Sequence, residues 1–291
     1  MVSDAEMTST TEVAFLPEIW SRKTADAAQF KAVVTDTVDK SLEDEVSMGR
    51  IVHRPHRSNL TTQAKTEGVS NTVLFEAITQ TNQDFTISTQ EYAAWLENEV
   101  IKAQEDPVYL GGVTTRAGYA LERGVEVTLT GRFDGFSQTV GVDNVEWTLD
   151  NLLRGWQYLE DAGAPEDDRF FVVSPGAAAG MKKLPELTSS DFAFQEGLKR
   201  ATIGEFMGIP VVRSQLLESG TAGKESAMYH RSALVLIRQV MPTTKRQYLI
   251  RNLADGMVIF DLYTTAENEQ PAETPGSESV SDTFAVFFLG V

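Results

Sequence analysis

Arg50-Ile51-Val52-His53-Arg54-Pro55 opens the most informative stretch of this 291-residue chain. It reads as a short strand ended by proline. Ser58-Asn59-Leu60-Thr61-Thr62-Gln63-Ala64-Lys65-Thr66-Glu67-Gly68 follows, with few residues able to build a core. From Val69 to Thr89 the sequence turns β-rich, with alternation at Phe85, Ile87 and Thr89. Met48 to Thr89 therefore predicts a long two-stranded ribbon with a polar tip. An isolated hairpin is marginal in water. A ribbon this polar needs a surface to lie on. In a monomer that is its own body; in an assembly it can be a neighbour.

Charge sharpens the contrast between ribbon and body. The formal net charge is −17. A surface of that sign repels phosphate, so the whole chain is not a nucleic-acid clamp, which needs clustered Lys and Arg. Between Ser47 and Gln80, however, Arg50, Arg54, Arg57 and Lys65 outnumber Glu67 and Glu76. A locally basic arm on an acidic body can steer one copy toward another. The chain has no cysteine. That removes a disulfide framework, a thiolate metal site and a Cys nucleophile. No run of about 18 apolar residues is present, so no membrane span is expected. The opening Met1-Val2-Ser3-Asp4-Ala5-Glu6 is acidic, and no secretory signal is expected there.

Outward from the ribbon, the periodicity changes. Upstream, Ala27, Phe30, Val34 and Val38 form a near-helical stripe after Pro17, broken at Ser47-Met48-Gly49. Downstream, Val113, Ala117, Ala120, Leu121, Gly124, Val125 and Thr128 predict a long helix from Gly112 to a stop at Gly131. A second helix has the stripe Leu149, Leu152, Leu153, Trp156, Leu159, with Thr148 as N-cap and Gly163 as stop. Arg169 to Val173 reads as a buried strand, and Ser174-Pro175 starts a helix through Met181. Strands are expected at Ile209 to Ser214 and Met228 to His230, and a helix from Ser232 to Val240. Tyr248 to Asn252 and Met257 to Tyr263 read as strands joined by a turn at Asp255-Gly256. Glu267 to Asp282 is acidic, without a basic residue, and is expected as an exposed loop. The apolar end, Phe284 to Val291, must be buried, as a strand inside a sheet. The alternation of strands and helices predicts an α+β chain with a mixed α/β region.

Signals for chemistry are weak. His53 and His56 lie three apart in a predicted strand, so they point to opposite faces and do not suit one metal. His230 reads as a satisfied boundary residue. The chain lacks a phosphate loop, a dinucleotide fingerprint, a nucleophile elbow and a calcium loop. Glu97 with Glu99 and Asp167 with Asp168 are expected as solvated acidic pairs. Trp95, Trp147, Trp156, Phe170 and Phe171 are expected to pack. No catalytic residue, cofactor or metal is expected.

The order of these features resembles HK97-like major capsid proteins of tailed bacteriophages, a fold shared by encapsulin shells. The pieces are Phe15-Leu16-Pro17-Glu18-Ile19-Trp20-Ser21, the ribbon, the helix around Ala117-Gly118-Tyr119-Ala120-Leu121-Glu122-Arg123-Gly124, the Phe170 to Pro175 segment, Ile203 to Leu217, and Met228 to Ala233. The resemblance implies an N-terminal arm at 1–46, an extended loop (E-loop) at 47–89 and a peripheral domain with a spine helix at 90–142. Strands from 241–291 would join the peripheral domain, and 143–240 would form the axial domain.

The implied function is geometric. Hexamers and pentamers of the chain would form an icosahedral shell in the virion, enclosing double-stranded DNA without sequence-specific binding. Synthesis and assembly would occur in the host cytoplasm, away from membranes. The arm before Pro17 is short for a fused scaffolding domain, so a separate scaffolding protein is expected, with portal and decoration proteins as further partners. Contact candidates between subunits are Arg50, Arg54, Arg57, Lys65 and Glu67. Some relatives cross-link a loop lysine to a neighbour's asparagine beside a glutamate. Lys65 and Glu67 match that pattern, although such a pair is common on surfaces. Two alternatives differ in class: an encapsulin-like compartment around an enzyme cargo, and a soluble metal-dependent enzyme using His53 and His56.

Overall fold

The computed structural model describes residues 31–57, 60, 62, 75–78, 80–100, 107–184, 204–220, 223–269 and 284–290. In chain order the strands are β1 (Ile51–Arg57), β2 (Gln80–Thr86), β3 (Thr89–Asn98), β4 (Gln138–Gly141), β5 (Arg169–Val173), β6 (Glu205–Phe206) and β7 (Ile209–Arg213). They continue with β8 (Ser219–Gly220), β9 (Gly223–Lys224), β10 (Ser226–His230), β11 (Leu234–Leu249), β12 (Ala254–Glu267) and β13 (Ala285–Leu289). Three α-helices are described: α1 (Pro107–Thr130), α2 (Leu149–Asp161) and α3 (Pro175–Met181).

Two sheets organise the molecule. The larger has the order β4-β13-β10-β5-β7-β6 and mixes parallel with antiparallel neighbours. Its central strands are apolar at successive positions because both faces are covered. Phe171, Val173, Met228, Val286 and Phe288 face α2 and α3, where they meet Leu152, Leu159 and Met181. Val172, Ala227, Tyr229 and Ala285 face the other way, onto Val125, Leu129, Phe133 and Val34. Each Val, Leu, Phe or Met among them contributes about 1.5–3 kcal/mol through burial.

The smaller sheet, β11-β12-β3, is antiparallel throughout. The middle of α1 lies on it, joining Ala117 and Leu121 to Ile259, Ala93 and Trp95. The last part of α1 reaches the larger sheet through Val125 and Leu129. At about 36 Å for 24 residues, one helix spans both layers. Its end is where the sequence put it, with the Gly131 N–H donating to the Val127 carbonyl at 3.0 Å.

Several local expectations meet their structures. Thr148 and Ser174 accept hydrogen bonds from Asn151 and Ala177 as N-caps. Gly163 has φ +70° after α2. The apolar end becomes β13, held between β10 and β4.

Others need correction. The predicted helix from Ser232 to Val240 is the start of β11, because Leu234 to Ile237 are buried on both sides of a sheet rather than along one helical stripe. The turn lies at Ile250–Asn252 with Leu253 in the left-handed region, so Asp255-Gly256 is inside β12. The predicted helix after Pro17 extends mostly outside the described residues. In the described part, Val34–Asp36 makes a single 3-10 turn. The Val33 and Val34 N–H groups go instead to the Glu126 side chain. β4 and β13 both belong to the larger sheet. Most of the acidic stretch from Glu267 to Asp282 lies outside the described residues.

Candidate inter-subunit surface

β1 and β2 pair antiparallel, from Ile51 opposite Thr86 to Arg57 opposite Gln80. The pleat gives this ribbon two faces. Its inner face is anchored on its own chain. Val52 and Phe85 pack with Leu42, Val46, Ile87, Val235 and Ile237. Arg54 Nη1 stands 3.4 Å from Asp39 Oδ2. Gln83 Nε2 donates to the Glu267 carbonyl at 2.8 Å, and Gln83 Oε1 accepts from the Glu269 N–H at 3.2 Å. The base of the ribbon is therefore anchored within the chain, which narrows the expectation that the whole stretch needs another copy.

The outer face is different. Ile51, His53, Pro55 and Arg57 are exposed, and His53 Nδ1 lies 2.5 Å from Asp84 Oδ1. Farther out, Leu60 in the predicted polar tip and Phe75 and Ile78 in the predicted β-rich return hold apolar side chains in open solvent. Leu60 is 62%, Ile78 56% and Phe75 94% exposed. An exposed residue of that size forgoes about 1.5–3 kcal/mol that burial would supply. Phe75 was not singled out because it falls in a short apolar run, Val73-Leu74-Phe75 with Ala77 and Ile78, which gives no sign of its own exposure.

The five contact candidates separate accordingly. Arg50 and Arg57 are exposed, with no ion pair among the described residues. Arg54 is turned to Asp39 of its own chain. Lys65 and Glu67, with the cross-link they suggested, lie outside the described residues.

Buried carboxylates form the second polar feature, and the sequence did not single them out. Glu126, on α1, is fully buried. Its Oε2 accepts from the N–H groups of Val33 at 2.5 Å and Val34 at 3.2 Å, and its Oε1 from the Ser214 hydroxyl at 2.5 Å. Burial nevertheless raises its pKa above the usual glutamate value, the three donors opposing that shift. Asp261, on β12, is also fully buried and sits directly opposite Glu91 on β3. Neither of its oxygens has a hydrogen-bond partner. Burial, with the Glu91 charge adding to it and Arg238 opposing, pushes its carboxyl up to about 6. Glu91 itself accepts the Tyr263 hydroxyl at 2.7 Å. Glu97, expected in a solvated pair, is buried and accepts the Trp95 indole N–H at 3.1 Å.

The histidines are separate. His53 is exposed on the outer face of β1, and His56 half-buried on the inner face. His230 Nδ1 accepts the Ser232 N–H at 3.2 Å and meets the Ser232 hydroxyl at 2.7 Å. Burial lowers its pKa. Among the described residues, no group of three or more His, Cys, Asp or Glu could hold a metal ion. No described helix is long and apolar enough to cross a membrane.

Solved structures share this arrangement from end to end. A chain of Mycobacterium phage Che8 superposes with a TM-score of 0.77 at 20% identity, over 94% of this chain and 97% of that one. The capsid of the cyanophage P-SCSP1u gives 0.77 at 11% identity, over 100% and 97%. The mature capsid of bacteriophage PhiM1 gives 0.72 at 14% identity, over 98% and 95%. The fold is that of HK97-like capsid subunits. Comparison with curated proteins gives no match. The profile of the family described as phage capsid protein matches residues 80–247, more than half of the chain, and the chain belongs to that family. It is a structural protein that builds a homo-oligomeric shell, a component of a virion capsid. The encapsulin and enzyme alternatives are not favoured.

Proposed function

We propose that copies associate head to tail into hexamers and pentamers, and that the outer part of the ribbon lies on a neighbouring copy. The observation that carries this is Phe75, 94% exposed beyond a base fixed on its own chain. A rigid base with an apolar free end is suited to heterologous contact, and such contacts close into rings. Arg50 and Arg57 would steer the encounter, while buried apolar area and repeated contacts supply the cohesion. The smaller sheet with α1 serves as the peripheral region and the larger sheet as the axial one. The shell encloses double-stranded DNA without gripping it, since a net charge of −17 disfavours phosphate. Assembly takes place in the host cytoplasm with a separate scaffolding protein, and portal and decoration proteins complete the particle.

Phe75→Ser tests the contact. The variant should fold as a capsomer-free chain with unchanged thermal stability, because Phe75 buries nothing in its own subunit. Shell formation, followed by light scattering and electron microscopy, should fail. Normal shells from this variant would refute the placement of the ribbon.

A further inference from the structure

At the C-terminal end of α1, Glu225 feels the charges of two acidic side chains from separate connections, and its N–H donates to the Glu218 carbonyl at 3.1 Å. Asp134 comes from the turn after α1, Glu218 from the segment after β7, and Glu225 from the residue before β10. Glu225 is 8% exposed, and its Oε2 has no hydrogen-bond partner. Glu218 runs beside the last turn of α1, its N–H donating to Thr130 Oγ1 at 3.0 Å. The helix terminus adds partial negative charge of its own. Lys224, next in sequence, is turned away to the carbonyls of Gln215 and Leu217. None of the three carboxylates has an ion pair among the described residues. A carboxylate buried without a partner costs on the order of 1–3 kcal/mol or more. A cation set beside the exposed Asp134 and the half-buried Glu218 would lower that cost.

A hard metal ion needs oxygen ligands converging to about 2.0–2.6 Å. These carboxylates do not form a group able to hold a metal. A guanidinium spreads five donors over a planar fork and can serve carboxylates too far apart for one ion. We propose that this notch receives Arg57 of a second copy. Arg57 ends β1 on the outer face, where the ribbon leaves its anchored base, and it is exposed without an ion pair among the described residues. Arg50 sits at the opposite, anchored end, where its carbonyl accepts the Ile87 N–H. The assignment rests on the ribbon lying on a neighbouring copy, and names the surface that it meets.

A pH signature follows. Burial, then the charges of Asp134 and Glu218, hold the Glu225 carboxyl up to about 7 in the separate chain. An entering guanidinium favours the ionised form, so the associated state binds fewer protons. Association then strengthens as pH rises through about 7.

The test uses the full chain, with association read by light scattering and electron microscopy. Arg57→Glu and the pair Asp134→Asn with Glu218→Gln should each weaken association by about ten-fold or more. The exchange of Arg57→Glu with Glu218→Arg should recover most of that loss. The wild type should associate more strongly at pH 8 than at pH 6, and Glu225→Gln should flatten this dependence. Circular dichroism melts of the unassembled variants separate misfolding from lost contact. Well-folded notch variants that assemble like the wild type overturn the proposal, as does an Arg57→Glu chain that assembles normally. If those assemble while Phe75→Ser does not, the notch assignment fails and the ribbon reading stands. If all assemble, both fail.

Discussion

Glu126 ties three distant parts of the chain through one carboxylate: the segment at Val33 and Val34, the helix α1, and Ser214 beyond β7. Removing it leaves two buried donors, the Val34 N–H and the Ser214 hydroxyl, and the part-buried Val33 N–H without their acceptor, at about 1–3 kcal/mol for each that is buried. Glu126→Ala should therefore destabilise the folded chain by about 3–5 kcal/mol in urea unfolding. A loss below about 1 kcal/mol would mean that water replaces the carboxylate. Asp261 gives the opposite lesson. Its folded pKa stands at about 6, above the usual 3.8. The stabilisation is fully present below about pH 4 and is lost as pH rises through about 6, a difference of about 2–3 kcal/mol. Asp261→Asn cannot ionise, so it should lose this component of the pH dependence and be more stable relative to the wild type at pH 8 than at pH 4. Parallel pH profiles for the two chains would exclude this origin.

At the scale of elements, legibility followed local rules. The N-caps of α2 and α3 and the stop of α1 were visible because each depends on a few adjacent residues. β11 was misread because Leu234 to Ile237 form a short apolar run, which periodicity alone cannot assign to helix or strand. The ribbon was legible as a ribbon, but the anchoring of its base depends on Asp39, Glu267 and Glu269, which lie far away in sequence. Glu126 and Asp261 gave no signal, since burial of a carboxylate is a property of the packed whole.

The contact of α2 with β13 shows such packing directly. Gly155 is buried against the Phe288 ring, and a Cβ there would stand 2.9 Å from Phe288 Cε2. Gly155→Ala gains helix propensity of about 1 kcal/mol. The overpacking, at about 1–3 kcal/mol, should prevail and lower the melting temperature. A melting temperature at or above the wild type would show that the ring moves aside without cost.

For the whole molecule, the sign of the charge sets the balance between repulsion and cohesion. Each copy has a formal net charge of −17, so a shell brings like-charged bodies together. That repulsion acts across solvent, and salt screens it over about 10 Å at 0.1 M. Contacts made by an apolar ribbon end are not weakened by salt, and a desolvated ion pair is weakened much less than an exposed one. Association should therefore hold steady or increase as NaCl is raised from about 0.05 to 0.5 M, a range spanning Debye lengths on either side of that distance. Light scattering on the purified chain at fixed pH measures this. Loss of association across the series would mean that exposed charge pairs, such as those open to Arg50, hold the copies together, and that Phe75 is not the principal anchor. The same series on Phe75→Ser closes the comparison: if cohesion is apolar, salt should not restore association to a chain that lacks the ring.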